Sequence, residues 1–244
     1  MTIRPHIFND LPVIAAQSMR LGGVSPAPFV SMNLGLSVND DEKNVWKNRE
    51  LFFGGLGIEL SQLAKSHQVH GTHVHVANAA GSVEGFDAQI SNKPGVFLVA
   101  SIADCTPILI YDTKNKAIAA IHAGWKGTVG GVVRNTLLKM QEKYETAGAD
   151  CKAFIGACIS YKNFEVNDDV AQHFDGSLKH FDADKQKWFV DLKAANKAQL
   201  MAFGLKEENI EVSDYCTVEN NDLFFSHRKE KGKTGRMMVV IGIV

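Results

Sequence analysis

The residues best suited to chemistry lie in three short stretches. The first is Ser66-His67-Gln68-Val69-His70-Gly71, with His73 and His75 close behind. The second is Ala103-Asp104-Cys105-Thr106-Pro107, and the third is His122-Ala123-Gly124-Trp125-Lys126-Gly127. Imidazole and thiolate together suit a borderline-soft ion, zinc above all. Three protein ligands leave one tetrahedral corner for water or substrate, the pattern of a catalytic site rather than a structural one. An ion held that way acts as a Lewis acid and brings the pKa of a bound water near neutrality. Spacing alone does not select three ligands from 9 histidines and 4 cysteines.

Each stretch also has a plainer reading. Cys105 without a metal is a small buried hydrophobe, or a nucleophile with His122 as its base. His67, His73 and His75 read as ordinary surface or strand histidines, and the alternation His73-Val74-His75 fits an edge strand with one polar face. Cys151 and Cys158 read as structural thiols, and no C-x-x-C pair is present to suggest a zinc ribbon. Gly124-Trp125-Lys126-Gly127 is either a turn or a Gly-rich entry to a helix whose N–H groups hold a phosphate, with Lys126 adding charge.

The elements that must position these groups follow from pattern. Leu21 to Gly35 is rich in Gly, Pro and Ser and reads as turns. Asn39-Asp40-Asp41 offers an N-cap for a helix towards Phe53 that Gly54-Gly55 ends. Val96–Val99 and Ile108–Tyr111 are apolar runs on either side of the Asp104-Cys105 break, and Lys116 to His122 is a third; all three suit strands buried on both faces. The Gly127–Gly131 loop leads into a helix that continues to Tyr144, with Val132, Val133, Leu137 and Met140 at helical spacing. Asp191 caps a second amphipathic helix to Phe203, stopped by Gly204. Met237–Val244 reads as a buried strand. Strands and helices interleave without strict alternation, which predicts an α+β fold of mixed β-sheets with flanking helices. No linker or repeat divides residues 1–244, so one domain is expected.

The chain has 244 residues, 45% hydrophobic and 22% charged, with a formal net charge of -1. A nucleic-acid binder would show a basic excess. The N-terminus carries no secretory signal, and the most apolar region is too short and too polar to span a bilayer. A cytoplasmic enzyme that acts on small molecules as a monomer, without nucleic acid or membrane, is the expectation.

Longer motifs surround the three stretches: Arg20-Leu-Gly-Gly-Val-Ser, Met32-Asn-Leu-Gly, Gln68-Val-His-Gly, Ala103-Asp-Cys-Thr-Pro, His122-Ala-Gly-Trp-Lys-Gly, Phe164-Glu-Val, Phe189-Val-Asp-Leu-Lys, Phe225-Ser-His-Arg and Thr234-Gly-Arg. Together, and in this order along nearly the whole chain, they resemble the YfiH family, also called the laccase-domain or polyphenol oxidase family and associated with purine nucleoside phosphorylase activity. The resemblance implies a YfiH-like α+β fold, with His70, Cys105 and His122 as metal ligands. It implies zinc as cofactor, with copper the alternative. It implies phosphorolysis of adenosine, inosine and methylthioadenosine by phosphate, together with adenosine deamination. Copper-dependent phenol oxidation and peptidoglycan-precursor editing by hydrolysis are the other activities proposed for the family. Some positions depart from the common pattern. Lys126 stands where Arg is more usual, His227 where Tyr is common, Ala157 where Pro is usual, and Ser160–Asn163 is atypical, which leaves the anion contacts and substrate preference open.

On that reading Arg20, Lys126 and Arg228 are candidates to hold phosphate or ribose oxygens, with Asn33 and Gln68 completing the substrate contacts. Asp104 or Glu165 is the candidate acid/base for deamination; Asp104 otherwise orients a ligand or serves as a strand-end hydrogen-bonding residue. Phenol oxidation ranks below, because a multicopper oxidase needs several His-x-His elements and only His73-Val74-His75 matches. A thiol hydrolase would need Cys105 free of metal. A purely structural zinc would need a fourth protein ligand to close the site.

Overall fold

The computed structural model describes residues 2–244, and among these the elements run in chain order as follows. The strands begin with β1 (Thr2–Ile3), β2 (Val13–Ser18), β3 (Leu63–His67), β4 (Val74–Val76), β5 (Gly81–Glu84) and β6 (Ala88–Ser91). They continue with β7 (Phe97–Ile102), β8 (Thr106–Asp112), β9 (Ala117–Ala123), β10 (Cys151–Ile155) and β11 (Glu165–Val166). The last are β12 (Lys179–Asp182), β13 (Lys187–Val190), β14 (Ile210–Val212) and β15 (Met237–Ile243). The helices are α1 (Glu42–Gly54), α2 (Trp125–Val129), α3 (Val132–Tyr144), α4 (Asp168–Ala171) and α5 (Leu192–Ala202).

Two six-stranded sheets carry the structure, one ordered β1-β2-β15-β7-β3-β5 and the other β14-β10-β8-β9-β6-β4. A three-stranded sheet, β11-β13-β12, sits apart from them. Both large sheets mix parallel and antiparallel pairs: β8 pairs β9 antiparallel, β4 pairs β6 parallel. The mixed α+β expectation therefore holds.

Side-chain alternation sorts the layers. In β8, Leu109 and Tyr111 turn into the core between the two sheets, while Ile108 and Ile110 turn to the core under α3 and α5. In β15, Val239 and Ile241 face the seam between the sheets, and Met238 and Val240 face the core that holds Phe52 and Phe53 of α1. Each central strand is thus covered on both faces, which is why these runs are continuously apolar. Two buried glutamines stitch the sheets together. Gln17 of β2 donates to the Ala157 carbonyl and accepts from the Ala157 N–H, at 3.1 and 2.8 Å. Gln89 of β6 donates to the carbonyls of Ala64 and Val99 in the opposite sheet, at 3.0 and 3.1 Å.

Asp41 caps α1 by accepting from the Lys43 N–H, and Asp191 caps α5 by accepting from the Ala194 N–H. The expected loop from Gly127 to Gly131 is partly wrong. Residues 125–129 form the short helix α2, with Gly124 as its N-cap, and only Gly130 and Gly131 turn into α3. The expected break between Val96–Val99 and Ile108–Tyr111 is a crossing between sheets, because β7 lies in one and β8 in the other. No helix of the described residues is long and apolar enough to cross a membrane.

Candidate metal centre and its cavity

His70 follows β3 in the first sheet, Cys105 lies in the crossing from β7 to β8, and His122 is the penultimate residue of β9 in the second sheet. The three residues therefore meet where the sheets meet. One donor atom from each lies within 4.8 Å of the other two. Cys105 Sγ is 3.9 Å from His70 Nε2, and the two imidazole rings meet edge to face with centroids 4.8 Å apart. His70 is exposed, Cys105 partly exposed and His122 buried. Two imidazoles and one thiolate at this spacing fit a zinc-type ion with an open side. Gly124 makes the close approach possible. A Cβ there would stand 2.8 Å from His70 Cδ2 and 3.3 Å from Cys105 Sγ.

Asp87, immediately before β6, ties the centre together, and sequence reasoning missed it. One carboxylate oxygen lies 2.8 Å from His122 Nδ1 and accepts from the His70 N–H at 2.9 Å. The other accepts from the N–H groups of Val69 and Gly71, at 3.2 and 2.7 Å. These bonds hold His70 at φ 58°, a conformation costly for a residue with a Cβ. They also direct His122 Nε2 towards the thiol, since a carboxylate on one ring nitrogen sets the role of the other.

Charge reinforces the geometry. Burial alone would push the Cys105 thiol up. The His122 charge and hydrogen bonds from both imidazoles outweigh it and bring the thiol down to about 6. Burial alone would push His122 down, but the Cys105 thiolate and then Asp87 raise it to about 9. In contrast, burial pushes the Cys151 and Cys158 thiols up to about 12. All four cysteines are free, and of Cys105, Cys151 and Cys158 only Cys105 is drawn towards the thiolate near neutrality.

The triad opens into a cavity of about 770 Å³, within the roughly 300–1,000 Å³ of small-molecule sites. Trp125 and Phe164 give it aromatic surface, and His67, Gln68, Asp104, His227 and Arg228 also line it. Gln68 is pinned by reciprocal bonds with the Ser101 backbone, at 2.8 and 2.7 Å. Arg228 is exposed, its guanidinium 5.6 Å from the Phe164 ring centroid. Asp104 stands at φ 81°, with one oxygen accepting from Thr217 Oγ1 and the other from the Arg228 N–H, both at 2.6 Å. That makes it a strand-end anchor that aims Arg228, rather than a free acid or base.

Four sequence candidates fall outside the cavity lining. The Arg20 guanidinium is consumed by Val30 O, Asn221 O and Glu230, at 2.8, 2.9 and 2.8 Å. Asn33 is fully buried and braces a turn through Gly35, Asp40 and the Arg236 N–H. Lys126 is exposed on α2, with its ammonium over the Trp125 ring. Glu165 lies instead on the rim of a separate shallow depression. Each expectation came from residue type and motif, and tertiary partners had already claimed, buried or turned away the group. His67, taken as an ordinary surface histidine, does line the cavity. His75 meets the Phe86 ring on the edge strand β4, as the alternation predicts.

Residues 14–244 match a family described as multi-copper polyphenol oxidoreductase laccase. A protein of Bacteroides thetaiotaomicron named purine nucleoside phosphorylase is 36% identical over 235 residues, which cover 90% of this chain and 87% of that protein. One of the same name from Deinococcus radiodurans is 37% identical over 239 residues, 96% of this chain and 90% of the other. The crystal structure of YlmD from Geobacillus stearothermophilus superposes with a TM-score of 0.93 at 31% identity, over 99% of this chain and 96% of that one. That of a hypothetical protein YfiH from Bacillus licheniformis also reaches 0.93, at 30% identity, over 100% and 96%.

Proposed function

The chain belongs to the multi-copper polyphenol oxidoreductase laccase family, and from its site we propose that it is a zinc-dependent purine nucleoside phosphorylase that also deaminates adenosine. Adenosine, inosine and methylthioadenosine are the substrates proposed. The observation that carries this reading is the convergence of His70, Cys105 and His122 on the wall of a cavity large enough for a nucleoside and phosphate. The names of the relatives support the same reading. Zinc bound there would supply Lewis acidity and an activated water.

The chain's own residues do the rest. Cys105 is already deprotonated near neutral pH, as ligation requires. Asp87 fixes both histidines. Trp125 and Phe164 offer apolar surface to the flat purine. In phosphorolysis a phosphate oxygen bonds the ribose anomeric carbon as the bond to the purine nitrogen breaks. The electron pair leaves with the base, which takes up a proton. His67 and His227 line the cavity and are the imidazoles outside the triad able to move that proton.

The family description names copper and phenols, so the test must separate the two chemistries. Zinc-loaded protein is incubated with adenosine, with and without phosphate, and the products are resolved. Adenine formed only with phosphate supports phosphorolysis, and inosine formed without it supports deamination. Neither product at full zinc occupancy overturns the proposal, and phenol-dependent oxygen uptake by the copper-loaded protein would replace it.

A further inference from the structure

Besides Arg228, three cations line the cavity, and none of them is paired with a carboxylate. Arg49 of α1, Lys65 of β3 and Arg236, just before β15, all reach its wall. Among the described residues none of the three forms a salt bridge with an acidic side chain. Arg49 is only 5% exposed; its Nε and Nη2 both donate to the Leu34 carbonyl, at 2.9 and 2.8 Å, and no bond is made by Nη1. Arg236 donates through Nη1 to the carbonyls of Thr234 and Gly235, at 3.1 and 3.0 Å, and no bond is made by its Nε and Nη2. Arg49 and Lys65 both approach one aromatic ring, 5.0 and 5.7 Å from the Trp46 centroid.

Gly35 brings the first and third cations to one place. A Cβ on Gly35 would lie 2.7 Å from Arg236 Cγ, so its absence lets that side chain pass. The neighbouring Leu34 carbonyl holds Arg49. Burial, and then the Arg49 charge, hold the Lys65 ammonium below its ordinary value, the mark of cations gathered without an anion. Of the two carboxylates on the cavity wall, Asp104 has both oxygens engaged and Glu84 is exposed. A buried cation without a counter-charge is costly unless a ligand supplies one.

We propose that Arg49, Lys65 and Arg236 form a subsite for a phosphate group, and that in the reaction it holds the attacking orthophosphate. This rests on the phosphorylase reading for the role of the phosphate, though not for its binding. The open fork of Arg236, the remaining Nη1 of Arg49 and an ammonium match the oxygens of a tetrahedral dianion. Arg236 lines the same cavity as Cys105 and Asp104. Of the cations that the motifs suggested, Lys126 and Arg20 are then not needed for the anion.

The test uses the full chain loaded with zinc and two probes, inorganic phosphate and adenosine 5′-monophosphate, titrated without turnover by calorimetry. Lys65→Met and Arg236→Met are each expected to weaken inorganic phosphate about tenfold to a hundredfold. The KM for phosphate should rise in step while the KM for adenosine stays within about twofold. Arg236→Lys should recover part of the loss, and Lys139→Met on α3 should change nothing. Thermal melts of each variant separate a lost contact from a lost fold. If the monophosphate depends on these cations and inorganic phosphate does not, the subsite stands but belongs to a substrate's own phosphate, and the orthophosphate assignment is overturned. Cation-dependent phosphate binding without any phosphorolysis would leave the subsite standing and remove the phosphorylase reading. Phosphate affinity unchanged in both methionine variants overturns the proposal.

Discussion

Replacing Asp87 by Asn keeps the side chain's shape but puts an amide donor among N–H groups that all donate to it. Whichever way the amide turns, two of the four donors lose their acceptor, either the His122 ring and the His70 N–H or the N–H groups of Val69 and Gly71. Metal affinity should fall about 10- to 100-fold, read by competition with a coloured chelator; wild-type affinity in Asp87→Asn would remove the role assigned to this carboxylate. The thiol gives a second expectation. In metal-free protein Cys105 titrates near 6 instead of 9.0, so its stabilising ionisation is complete above the ordinary value and lost as pH falls through about 6. His122 is raised from 6.5 to about 9, so its contribution is complete below the ordinary value and lost as pH rises through about 9. The ion pair therefore exists between about 6 and 9. Iodoacetamide should label Cys105 with a midpoint near pH 6, and His122→Ala should move that midpoint upward; a midpoint near 9 in the unmutated protein would refute the pairing. At this scale the ligands were legible only because several motifs together resemble a family. Asp87 and the three cavity cations gave no local signal, since each acquires its meaning from partners far along the chain.

Local pattern reached further for the elements. Capping acids and continuous apolar runs foretold α1, α5 and the central strands, because those signals are set by neighbours in sequence. Period-two alternation names two faces but not the sheet that owns them, so nothing in Val96–Val99 or Ile108–Tyr111 says that β7 and β8 part company at Cys105. The pairing of the sheets rests on groups such as Gln17, fully buried, whose amide satisfies both backbone groups of Ala157. Gln17→Leu would leave an N–H and a C=O without partners, at about 1–3 kcal/mol each. Urea unfolding should register a loss of about 2–6 kcal/mol on that arithmetic, and a neutral result would mean that the seam relaxes or admits water.

Taken as a whole, the molecule builds its cores without the metal. The three largest apolar clusters fill the seam and the two outer faces of the sheets, and none includes a member of the triad. Chelation should therefore leave the far-ultraviolet circular dichroism unchanged. At a free ion level a hundredfold above its dissociation constant, removal should lower stability by about 2.7 kcal/mol, or roughly 5–10 °C in melting temperature. Unfolding on chelation at room temperature would instead make the ion a structural support. One further consequence lies in β15, which sits between β2 and β7 near the middle of its sheet although it is synthesised after every other strand. While the ribosome has yet to release Met237–Ile243, β2 has no neighbour on its inner side and β7 presents an open edge. That stretch is what joins the β1-β2 pair to the β7-β3-β5 half of the sheet, so the two halves unite only after it emerges.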